Sequence, residues 1–180
     1  MAAGVKQRFV VAVALVAGLV AGCRLPSGGQ VTFPPVGATP APAGGSTALA
    51  RAGVAAALGV EGLELIDAVA AYRPPEGAVF AAAPRTVVQV VLPDDPTHGY
   101  IVLYSLPTPA AALAAAQDQA TYIASGPGHV LFVPGSQFSL RVLGSVAIFF
   151  AWSPDASPDA RTPSIALALS QVGDEVAIPS

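Results

Sequence analysis

The sequence predicts an α+β fold: an antiparallel sheet built from two ββα units, with helices packed on one face and a further helix leading in. Two observations carry this. A β-branched run, a turn cluster, a second strand-like run and a Thr-Pro helix start occur in that order from residue 86, and a similar order returns from residue 137. The helical segments are closed by glycines and the strand pairs by Asp, Pro and Gly, so the punctuation agrees with the periodicity.

The leading helix covers residues 47–58 (TALARAGVAAAL), with Leu49, Ala52 and Ala56 on one face and Gly59 at the stop position. Residues 63–72 read both ways: Leu63, Ile66, Val69 and Ala70 fit a helix, whereas Leu65, Asp67, Val69 and Ala71 fit a strand. Arg73-Pro74-Pro75-Glu76-Gly77 ends either one. The first repeat unit has strands at residues 86–92 (TVVQVVL) and 100–106 (YIVLYSL), joined by Asp94-Asp95-Pro96-Thr97-His98-Gly99. Its helix starts with Thr108 as N-cap and Pro109 at the first helical position, where a missing N–H costs nothing. Leu113, Ala116, Ala120 and Ile123 form the expected inner face, and Gly126 the stop. The second unit has strands at residues 137–143 (QFSLRVL) and 146–152 (VAIFFAW) around Gly144-Ser145. Its helix opens at Thr162-Pro163, carries Ile165, Leu169 and Val172 on one face, and closes at Gly173. A short extra strand is expected at residues 129–133. Residues 146–152 are apolar on both faces, which places that strand centrally.

Of 180 residues, 53% are hydrophobic and only 11% charged, but 37 Ala, 18 Gly and 18 Pro make much of this small-residue bulk. A coiled coil, a basic nucleic-acid binder and an acidic disordered tail are excluded by this composition. One Cys excludes an intramolecular disulfide framework.

The N-terminus reads as a targeting signal. Lys6 and Arg8 precede the uncharged residues 9–19 (FVVAVALVAGL), a run of h-region length and too short to span a bilayer, which takes about 20 apolar residues. The run ends in Leu19-Val20-Ala21-Gly22-Cys23, which resembles the lipobox of bacterial lipoproteins; Val20 stands where Leu is commonest. In that family the Cys is alkylated with diacylglycerol and becomes the new N-terminus after cleavage. The resemblance covers residues 1–23 and implies a cleaved signal at residues 1–22, lipid on Cys23, and a place on the cell membrane or outer membrane facing away from the cytoplasm. An ordinary secretory signal cut after Ala21 or Gly22 is the alternative. More than one acyl chain is needed for stable anchoring, which lipidated Cys23 would supply.

Residues 24–46 hold five Pro, five Gly and four Ser or Thr without periodicity, a composition that does not bury enough apolar surface to offset ordering. With Cys23 they read as a tether reaching on the order of 25 Å. Residues 47–180 form one domain, large enough to bury roughly two-thirds of its unfolded surface. From residue 23 onward the chain has no Lys and six Arg against eleven Asp plus Glu. This excludes a lysine Schiff base, a P-loop and a basic grip on nucleic acid.

Candidate sites are few. Asp94, Asp95 and His98 could ligate a metal or act as acid and base, although Asp, Pro, Thr and Gly are also what a turn requires. Asp155-Ala156-Ser157-Pro158-Asp159 opens like a calcium loop, but Ala160 and Ala166 stand where Gly and a bidentate Glu belong. The glycines of residues 125–129 follow a helix, the wrong end for phosphate. His129 reads as structural. Trp152, the sole Trp, together with Tyr100 and Tyr104, is the candidate binding set on a sheet face left bare of helices. No cofactor motif is present. The expected function is a lipid-anchored, non-catalytic domain that binds or positions an envelope partner; the alternative is an enzyme or carrier of a small ligand or metal with its site near Asp94, Asp95 and His98.

Overall fold

A computed structural model describes residues 43–179; the expected signal, Cys23 and residues 24–42 of the expected tether lie outside the described residues, whereas residues 43–46 of that tether already belong to the first helix. The elements are α1 (Ala43–Val60), β1 (Leu65–Asp67), α2 (Ala78–Ala82), β2 (Arg85–Val90), β3 (Tyr100–Ser105), α3 (Pro109–Ala124), α4 (Gly126–His129), β4 (Gln137–Leu143), β5 (Val146–Trp152), α5 (Thr162–Ser170) and β6 (Asp174–Glu175). The strands form one six-stranded antiparallel sheet in the order β1-β2-β3-β5-β4-β6. Pairing of β3 with β5, Ile101 opposite Phe150 and Leu103 opposite Ile148, joins the two hairpins at the centre. The fold is α+β, and both ββα units are present.

The covering of the sheet departs from expectation. Helices lie on both faces, because the central strands carry large hydrophobic side chains on both sides and each face must be buried. Ile101, Leu103, Val146, Ile148 and Phe150 point to a core shared with Ala50, Val54 and Leu58 of α1 and with Ile165, Ala168 and Leu169 of α5. The alternate residues Val102, Tyr104, Ala147 and Phe149 point to a second core with Phe80 of α2 and Ala112, Ala116, Ala120 and Ile123 of α3. The strand period of two divides each strand between the cores.

Other boundaries moved for identifiable reasons. Helix α1 continues to Val60, past Gly59, and the left-handed turn falls at Gly62 (φ +71°). Its buried row is Ala50, Val54 and Leu58, while Leu49, Ala52 and Ala56 face outward; Val54 and Leu58 offer more apolar area than two alanines. Residues 65–67 are a strand, pairing with Val88–Val90 through Ile66 and Gln89. In α3, Thr108 Oγ1 accepts from Ala111 N–H at 3.1 Å as expected, but Leu113 is 44% exposed and alanines face the sheet.

The strand expected at residues 129–133 is absent: α4 and a turn occupy it. Ser125 Oγ accepts from Gly128 N–H at 3.1 Å and donates to Tyr122 O at 2.6 Å, so the segment starts a helical turn where only a stop was expected. A Cβ on Gly128 would fall 1.9 Å from Tyr122 O, which reserves the position for glycine. Among the described residues, no helix is long and apolar enough to cross a membrane.

Arg141 of β4 points into the first core and caps α5. Its Nε donates to Val172 O at 2.9 Å, and Nη2 donates to Ser170 O at 2.9 Å and Gly173 O at 2.7 Å. These carbonyls have no helical donors of their own, and the positive charge suits a helix C-terminus. Arg141→Met is expected to lower the unfolding free energy by about 2 kcal/mol, because three carbonyls at the end of α5, that of Val172 buried, lose a charged donor. The midpoint of urea unfolding measures it.

Candidate functional site

At the end of the sheet where β3 begins and β5 ends, four loops meet around a cleft of about 170 Å³. Its walls are Tyr72 and Pro75 from the segment before α2, His98 from the β2–β3 hairpin, and Leu131, Phe132, Val133 and Ser136 from the loop after α4. The floor and far side are Ala151, Trp152, Ser153, Ala156 and Ser157. Trp152 is the last residue of β5, in register with Gln137, and is half-buried against the first core. Phe132 turns inward and meets Phe138 edge-on at 4.8 Å, whereas its neighbours Leu131 and Val133 are 60% and 52% exposed. Tyr72 stacks on Tyr100 with ring centroids 4.5 Å apart. Burial, followed by the neighbouring Tyr100 and Glu76, raises the pKa of Tyr72, so it stays a neutral donor.

The sequence candidates divide here. Trp152 and His98 line the cleft, and Tyr100 supports Tyr72 from behind. Tyr104 is fully buried between helix and sheet, stacked on Phe80 at 4.0 Å, so it belongs to no surface. Since both sheet faces are covered, the bare face to which these residues were assigned does not exist. His129 is exposed on α4 and is not a cleft residue.

Asp94, Asp95 and His98 do not converge as a set. Asp95 is 3% exposed, and its Oδ1 bonds His98 Nδ1 at 2.5 Å, while Oδ2 is buried without a hydrogen-bond partner. With a carboxylate on Nδ1, that nitrogen carries the proton and Nε2 is the one left for other contacts. The Asp94 side chain is exposed, and its N–H donates to Asp159 Oδ2 at 3.2 Å. Asp159 is itself clamped by Arg161 at 2.6 and 3.0 Å, and these bonds hold its carboxyl far below the ordinary range. Among the described residues, no group of three or more His, Cys, Asp and Glu is placed to hold a metal ion.

A cluster that sequence reasoning passed over holds one wall in place. The Glu76 side chain is almost wholly buried and accepts from Arg85 at 2.6 and 2.8 Å, from Tyr104 OH at 2.6 Å and from Arg73 at 2.7 Å. Gln119 of α3 completes the fixing: its Oε1 accepts from Gly77 N–H at 2.8 Å and its Nε2 donates to Pro75 O at 3.1 Å. Residues 73–77 are thereby pinned, and Tyr72 and Pro75 with them. The available signal was a lone Glu in an otherwise uncharged Pro-Pro-Glu-Gly turn, which needs a cation if it is buried. Compared with known protein families, curated proteins and solved structures, the chain matches none.

Burial alone would raise the Glu76 pKa, but hydrogen bonds from Arg85, Tyr104 and Arg73 outweigh it and hold the carboxyl below its ordinary 4.5. A folded value below the unfolded one stabilises the fold above the ordinary carboxyl range, and the contribution disappears as pH falls through the folded value. Glu76→Gln is expected to cost about 2 kcal/mol at neutral pH, limited because the arginines can still reach water. The gap from the unmodified chain should narrow as pH falls from the ordinary 4.5 through the lowered folded value. Unfolding curves of both chains at pH 7 and pH 3 give the comparison.

Proposed function

We propose that this chain is a lipid-anchored extracytoplasmic protein, held at the membrane through Cys23, whose domain is a non-catalytic binding module for an envelope partner. The observation that carries the binding reading is the cleft itself: an aromatic pocket bordered by the outward-facing Leu131 and Val133. Exposed apolar side chains at the border of a concave aromatic site are the composition of a recognition surface. The anchor rests on the resemblance of residues 19–23 to a lipobox, and a domain with more acids than bases has no polybasic grip of its own on anionic lipid.

A second reading, an enzyme or small-ligand carrier, draws on the buried Asp95 that orients His98 at the edge of the same cleft. In that reading His98→Ala abolishes ligand uptake or turnover.

The full chain and two variants, Cys23→Ala and Leu131→Asp, test the first reading. The unmodified chain should sediment with membranes, and Cys23→Ala should move to the soluble fraction. Cross-linking on intact membranes should capture one stoichiometric protein, and Leu131→Asp should reduce that capture at least tenfold while remaining membrane-bound. Capture unaffected by Leu131→Asp would remove the cleft from the partner interface.

A further inference from the structure

The cleft has a chemistry narrow enough to name its occupant, provided the binding reading above holds. We infer that it takes a proline-rich extended peptide segment with Lys or Arg beside the prolines.

Size excludes the first rival. At about 170 Å³ the cleft is well below the ~300–1,000 Å³ of small-molecule and cofactor sites. A space of this kind takes a few side chains of a longer ligand running across it.

Polarity excludes the second. The lining side chains contain no carboxylate and no amide. Among the described residues, neither the Tyr72 hydroxyl nor Trp152 Nε1–H has a hydrogen-bond partner. The Ser136 and Ser153 hydroxyls already donate to the carbonyls of Val133 and Pro134. A sugar brings many hydroxyl donors, for which this cleft has few acceptors. A proline segment brings the reverse: carbonyl acceptors, no N–H at the prolines, and flat apolar rings that pack on Tyr72, Phe132 and Trp152. Its polyproline II helix is formed before binding, so little ordering entropy is lost on docking into an aromatic groove.

Charge gives the flanks their sign. All five arginines among the described residues are in ion pairs, with Asp67, Glu76 (two of them), Glu175 and Asp159. Asp94 and Asp155 are exposed and in none of these pairs. Asp94 lies on the hairpin that carries His98, and Asp155 lies between the lining residues Ser153 and Ala156. Arg161 is near Asp94 but is shared with Asp159, which leaves that trio with one net negative charge. Two loops of the rim are therefore negative, and a basic flank is complementary to both. An arginine there also gains from the faces of Tyr72 and Trp152.

Trp152 is the only tryptophan, so its fluorescence in the full chain reports the cleft directly. Three capped peptides serve as probes: hexaproline flanked by arginines, hexaproline flanked by glutamates, and hexa-alanine flanked by arginines. The first should give a saturable change, with an affinity at least tenfold above the other two. Asp94→Asn with Asp155→Asn should weaken it about fivefold at low salt, and 0.5 M salt should erase that difference. Leu131→Asp, on an exposed side chain, should abolish binding without altering the circular dichroism spectrum. Equal affinity for all three peptides, or binding of none, overturns the inference. If none binds while Leu131-dependent capture on membranes persists, only the peptide chemistry fails; loss of both removes the binding function as well.

Discussion

Everything in this fold follows from two adjacent strands with no polar side. Along β3 and β5 every interior position is apolar, so neither sheet face can be left to water. Each buried side chain of Val, Leu, Ile or Phe size contributes roughly 1.5–3 kcal/mol, and an uncovered face would forfeit several of them. Coverage on both sides is the only arrangement that keeps them. The leading helix α1 and the last helix α5 meet over one face, and α3 with α2 covers the other.

Each layer is tied by one buried charge. On the first face Arg141 replaces the missing donors at the end of α5; on the second, Glu76 gathers Arg73, Arg85 and Tyr104. A buried ion is tolerated only when its hydrogen bonds are satisfied, so both residues fix the geometry around them. The consequence at the cleft is direct. Tyr72 and Pro75 belong to the segment that Glu76 and Gln119 hold, and Trp152 belongs to a strand anchored in the first core. Rigid elements thus set the positions of the aromatic walls, while Leu131 and Val133 stay outward on a loop.

Much of the fold was legible. The hairpins around residues 94–99 and 144–145 and the Thr108 cap stand where turn and capping chemistry puts them, whereas the last helix ends at Ser170, before the Gly173 expected to close it. Local bonding decides these features. Less legible were the segments where two local codes compete: residues 63–72, which fit both periods, and residues 125–133, where Ser125 and Pro127 favour a helical turn over a β-branched run. The face of α1 was misread because alanines are nearly neutral in pattern, and only packing against the sheet chooses among their rows.

The candidate site divides in the same way. His98 and Trp152 were visible as a turn histidine and a lone strand-end tryptophan, but one is 54 residues from the other and no spacing connects them. Asp95 bonding His98 is a local contact three residues apart, and a turn sequence contains it. The burial of Tyr104, the exposure of Leu131 and the reach of Glu76 to two arginines and a tyrosine depend on which helix covers which face. By itself the sequence determined the four long strands, their two hairpins, the Thr108 cap and an apolar central pair, because those depend on neighbours along the chain. Only the tertiary structure decided that both faces are covered and that four distant loops enclose one aromatic cleft, because those depend on how buried area is shared among elements far apart in sequence.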